Sequence, residues 1–159
     1  MYDVTFYFAH HYLEKGDRTI DQMVQAARSG KQNIAEGAAA GNTSKETEIK
    51  LTNVAKASLQ ELLVDYEDFL RVRGLEQWQP DDARLAQTKR ACATHNDSEF
   101  YRKAMPERSA ETIANIAITL IHQTDWLLNK LIEKLEIQFV ENGGVKEQMT
   151  KARKEYRGY

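Results

Sequence analysis

The sequence predicts an all-α fold, an up-down four-helix bundle with long antiparallel helices and a short extra helix at each terminus. Three observations carry this prediction. Apolar residues recur at three- and four-residue steps over long stretches, the spacing of one face of a helix. Helix breakers are scarce, with only Pro80 and Pro106 as prolines and eight glycines in 159 residues. No stretch that could be read as a strand has a second strand to pair with.

The totals set bounds on what such a fold can do. A chain of 159 residues forms one domain with enough length to bury a real core. Hydrophobic residues at 42% and charged residues at 29% exclude an intrinsically disordered chain. A net charge of −2 supplies no global basic field to draw the protein onto nucleic acid. The charge is uneven, however. Glu61 to Asp82 carries seven acids against two arginines, and Lys146 to Tyr159 carries five bases against two acids. The single Cys92 excludes an intramolecular disulfide and a cysteine zinc cluster within one chain, and reads as a small half-buried residue. The first residues lack the basic head and apolar run of a signal peptide, and no apolar run approaches the ~20 residues that span a bilayer. A cytoplasmic location with no membrane contact follows by default.

Tyr2 to Leu13 holds Tyr2, Phe6, Tyr7, Phe8 and Tyr12. Tyr2/Phe6 and Phe8/Tyr12 sit four apart, so the segment reads as a short helix stopped near Lys15-Gly16. The first long helix begins at Asp17 or Thr19 and ends at Ala40, with Ile20, Met23, Val24, Ala27, Ile34 and Ala38 on its apolar stripe. Its many small residues allow another backbone to approach closely. Gly30 inside a helix costs about 1 kcal/mol relative to Ala, and close contact with a neighbouring helix would offset it. Gly41-Asn42 supplies a left-handed stop. The next helix starts at Thr43 or Ser44, where Thr43-x-x-Glu46 has capping-box spacing, and it ends at Gly74. Ala55, Leu59, Leu62, Tyr66 and Phe69 form its main stripe, widened by Leu51, Leu63 and Leu70. Such a width buries against more than one partner helix.

Asp81 to His95 is a third, weakly apolar helix, placed at the bundle's periphery or as its least stable member. Asn96 to Arg108 reads as the longest irregular stretch, anchored by Phe100, Tyr101 and Met105. Ser109 to Val140 is the last long helix, with Ile113, Ile116, Leu120, Leu127, Leu131 and Leu135 at near-heptad steps. Its length, about 48 Å, implies an elongated bundle. Gly143-Gly144 closes it. Residues 1–143 then form the bundle domain and 144–159 a basic tail or short helix.

Asn33-Ile34-Ala35-Glu36-Gly37, Ser44-Lys45-Glu46 and Ala57-Ser58-Leu59-Gln60-Glu61-Leu62 occur in that order. In this set and its spacing the chain resembles the four-helix-bundle family first noticed as the 23S ribosomal RNA intervening-sequence protein. It looks closest to the subgroup called the four-helix-bundle suffix domain. The resemblance covers about Thr19 to Leu70; the closing helix matches only in pattern. It implies a four-helix bundle that forms a homopentameric barrel with no known catalytic activity. A relative, the accessory variability protein of diversity-generating retroelements, is a pentamer that binds reverse transcriptase and RNA through a basic surface. This chain departs from it in charge, since a pI of about 6.1 is not the basic balance that drives counterion release.

The candidate site residues follow. Asn33 and Glu36, three apart on one helix face, could line a pore or site, but read as a buried hydrogen-bonded pair holding helices or subunits in register. Gly30 and Gly37 read as points of close helix packing. Arg28, Lys31 and Lys45 could receive a phosphate or a partner's acids, but read as a solvated face. Candidate nucleic-acid contacts are Arg84, Lys89, Arg90, Arg102 and Lys103, interleaved with Phe100 and Tyr101, and then Lys151, Arg153 and Lys154 in the tail. A di-iron site would need Glu-x-x-His motifs, and the chain has none; His122-x-x-Asp125 alone has helical ligand spacing. Ser29 and Cys92 lack an evident base, so no catalytic residue, cofactor or metal is expected. The expected function is a non-enzymatic, self-associating scaffold or interaction module, with a pentamer favoured. The alternative is an RNA- or DNA-binding accessory factor.

Overall fold

A computed structural model describes residues 1–158, and among them every regular element is helical. They are α1 (Tyr2–Tyr12), α2 (Arg18–Ala40), α3 (Lys45–Val72), α4 (Ala83–Thr94), α5 (Ser98–Ala104), a 3-10 turn (Met105–Glu107), α6 (Ala110–Asn142) and α7 (Val145–Arg157). Short polar side chains open most of them by accepting from the otherwise orphan N–H groups of the first turn. Asp17 accepts from the Thr19 amide at 2.8 Å, Ser44 from Thr47 at 3.2 Å, Asp97 from Phe100 at 2.8 Å and Ser109 from Thr112 at 3.1 Å.

α2 lies along α3, which lies along α6, and α1 fits against both α2 and α6. The directions follow from which residues meet. Gly30 faces Leu59 while Gly37 faces Leu51, so α2 and α3 run oppositely. Lys56 donates to Asn129, and Trp78, just past α3, donates its amide to Asn115 at 2.9 Å, so α3 and α6 also run oppositely. The core between them is built from Met23 and Ala27 of α2, Ala55, Leu62 and Tyr66 of α3, and Ile113, Ala117 and Ile121 of α6.

The contribution of α1 differs from the sequence reading, while α4 takes the peripheral place offered to it. The aromatic segment, read as an extra helix, places Val4, Thr5, Phe8 and Ala9 in the core. Phe8 packs on Tyr66 and Phe69 at ring-centroid distances of 4.9 and 4.7 Å, and Tyr66 donates its buried hydroxyl to Thr5 at 3.0 Å. The segment read as the third helix buries only Cys92 and rests on the outside of α6. Large aromatic side chains repay inclusion in a core more than a short helix of alanines and charges can.

Three local expectations are corrected. Gly41 is right-handed, with φ −60°, so it is no left-handed stop; a side chain there would collide with the buried Glu48 carboxylate. Thr43 does not cap α3, because its hydroxyl donates back to the Ala40 carbonyl at 3.0 Å and Ser44 takes the cap. The stretch 96–108 is mostly helical, since Asp97 starts α5 and Met105-Pro106-Glu107 forms the 3-10 turn. Gly74 and Gly143, by contrast, do end their helices with positive φ, 63° and 72°.

Candidate functional site

The α2–α3 seam carries the residues that gave the chain its individuality. Gly30 and Gly37 are buried, and a Cβ built on them would stand 3.2 Å from Leu59 Cδ2 and 3.3 Å from Leu51 Cβ. Both are places where α3 comes too near for an easy side chain. Asn33 donates to the Ser29 carbonyl at 2.9 Å and to its hydroxyl at 3.2 Å, and Ser58 of α3 donates to the same hydroxyl at 2.9 Å. Asn33 thus belongs to a chain of hydrogen bonds that stitches α2 to α3. Glu36 does not join it; its side chain is exposed, so the expected buried pair is not formed. The buried acid of this seam is Glu48, at 8% exposure, whose carboxylate meets Lys45 at 3.2 Å beside Gly41. Lys45 is therefore engaged within its own helix. Gly41, next to a helix start, was the available sequence signal for Glu48.

The basic candidates divide between two places. Arg84 is held by Glu76 and Asp82, both at 2.7 Å, and lies over the Trp78 ring. Lys103 pairs with Glu99 at 2.7 Å, and Arg90 donates to its own helix at Ala86. Lys89 borders a cavity, and Arg102 is exposed. On α7, Lys151, Arg153 and Lys154 are exposed with no carboxylate within 4.0 Å among the described residues. The α4–α5 group and the α7 group stand on elements that do not pack together.

Sequence reasoning missed a cavity of about 1020 Å³ between α4, α6 and the start of α1, bordered by Trp78, Leu85, Cys92, Tyr101, Trp126 and Leu127. The Trp78 indole N–H beside it has no acceptor among the described residues. Burial pushes the Cys92 thiol above its ordinary range, and burial, reinforced by Cys92, does the same to the Tyr101 phenol. Tyr101 donates to the His95 carbonyl at 2.9 Å. A protonated thiol is a poor nucleophile, so Cys92 serves packing. Among the described residues no three His, Cys, Asp or Glu side chains converge on a point where they could hold a metal ion, and no helix is long and apolar enough to cross a membrane.

The most exposed apolar surface lies at the far end of the chain. Trp126, Leu127, Ile137 and Val140 of α6 and Val145, Met149 and Tyr156 of α7 are all exposed, which makes seven of the eleven large apolar side chains left in solvent among the described residues. No residue of α7 is buried. α7 hangs from α6 by Gly143-Gly144, where the Gly144 amide donates to Glu147 Oε2 at 2.7 Å. Compared with known proteins, the chain matches no family model, no curated protein and no solved structure.

Proposed function

We propose that α1, α2, α3 and α6 form an up-down four-helix bundle, and that the chain works without catalysis as a self-associating scaffold. The observation that carries this reading is the apolar run from Trp126 to Tyr156. Water-exposed apolar side chains that recur along the second half of α6 and on α7 mark a surface that another protein covers. The likeness to the intervening-sequence protein family supports membership of that family and favours a homopentamer. The mass of the protein in solution tests the reading, by light scattering on a sizing column. The expected result is a mass near five times 18.3 kDa; a single-chain mass overturns it.

A second reading, an RNA- or DNA-binding accessory factor, is favoured by the bases of α7 that meet no carboxylate within 4.0 Å among the described residues. Phosphate contacts by such bases make binding fall steeply with salt. Retention on RNA at low salt, abolished when Arg102, Lys103, Lys151, Arg153 and Lys154 are replaced by Gln, is its expected signature. Equal retention before and after replacement removes these residues from the account.

A further inference from the structure

We infer that α7 docks on the outer face of α3 of a second copy of this chain. The inference rests on the self-association reading and names the contact that produces it. Val145, Met149, Ala152 and Tyr156 follow one another at steps of four, three and four, which puts them on one stripe of α7. Three of them are exposed by 41%, 52% and 94%. Lys146, Arg153 and Arg157 follow one side of the stripe and Glu155 the other, with Lys151 and Lys154 behind, so α7 is apolar along one line and carries five bases against two acids.

The complementary surface lies on α3. Val54, Val64 and Val72 are exposed by 47%, 52% and 69%, and their steps place them on one face with Glu61, Asp65 and Asp68. Asp68 pairs with Arg71 at 2.7 Å, while Glu61 and Asp65 have no cation within 4.0 Å among the described residues. Burial, with Asp68 and Glu61 alongside, holds the Asp65 carboxyl above its usual range. One surface is apolar and acidic, the other apolar and net basic, and apart from the Asp68–Arg71 pair no salt bridge among the described residues engages the named charges of either.

Geometry directs α7 to another copy. Asn129 meets Lys56, and α6 runs against α3, so the end of α6 lies opposite the beginning of α3. Glu61 stands about 24 Å along α3 from Lys45, and α7 with its 13 residues is about 20 Å long. In its own chain α7 leaves this surface open, for it makes no extended contact with α3. The donor and acceptor surfaces are different patches, so the contact is head-to-tail and repeats until the rotation closes a ring. Each copy then gives one helix and receives another.

Charge exchange tests the contact. Light scattering is run on the full chain, on K151E/R153E/K154E, on E61K/D65K/D68K, and on an equimolar mixture of the two variants, with circular dichroism confirming helix content. The expected result is an oligomeric full chain, a fall to single-chain mass for each variant alone, and renewed association in the mixture, into even-numbered or open assemblies because alternating copies leave one like-charged contact in a ring of five. An oligomeric full chain whose variants keep its mass overturns the α7–α3 contact and leaves self-association standing. A full chain that is already single overturns both. Loss of RNA retention by K151E/R153E/K154E without loss of mass overturns the contact in favour of nucleic acid. Paired Val64→Cys and Met149→Cys provide a second measurement: oxidation should join two copies, and a link within one chain overturns the proposal.

Discussion

Gly30 sits where a Cβ would already press on Leu59 at 3.2 Å, so the residue that looks costly inside a helix is a condition of helix contact. Gly30→Leu should therefore destabilise the protein by roughly 1–3 kcal/mol through overpacking, read as a lower midpoint in urea; an unchanged midpoint refutes it. The same scale explains Cys92. Its thiol is held above the ordinary value of about 8.5, so less of it is thiolate at pH 8 than in the unfolded chain. Alkylation of native protein at pH 8 should be several-fold slower than in denaturant, and should keep rising as the pH passes the ordinary value. Folded Cys92 also retains its proton longer, so its contribution to stability declines as pH rises through that range. Equal labelling rates in native and denatured protein would contradict its burial.

At the scale of elements, α1 and α7 make opposite contributions. Phe8 is 0% exposed and touches two aromatic rings of α3. Phe8→Ala should cost about 3–5 kcal/mol, seen as a large fall in melting temperature. Removing 144–159 should leave the melting temperature of the single chain almost unchanged, because α7 buries nothing. A large loss on that truncation, measured at a dilution where the full chain is single, would show that α7 packs on its own bundle. These contrasts mark how far the sequence was legible. Periodicity located α2, α3 and α6 within a residue or two, because the repeat of apolar side chains is itself the buried face. It could not rank α1 against α4, since which helix fills the core depends on contacts between residues such as Phe8 and Tyr66, far apart in the chain. The Asn33–Glu36 pairing failed for a related reason. Two residues three apart share a face, but which of them lies under α3 depends on where α3 crosses, and Ser58 reached Ser29 rather than Glu36. The cavity at Trp78 and Cys92 needed α4 to lie across α6, which no local pattern announces.

The whole molecule combines a continuous core at one end with an apolar, basic arm at the other. If the proposed ring forms, salt should loosen it, because part of the contact is between exposed charges. Oligomer mass measured against ionic strength checks this, and a mass insensitive to salt would point to a contact made by the valines and Tyr156 alone. The position of α1 has one more consequence, for biosynthesis. Phe8 is translated 58 residues before Tyr66, the ring that shelters it. At typical elongation rates that interval lasts about 3–12 s, and during it Phe8 has only α2 to pack on and lacks the α3 rings that enclose it. The nascent chain is then at its stickiest, and a chaperone that grips aromatic segments, or a neighbouring ribosome's product, meets the first helix before its own fold does.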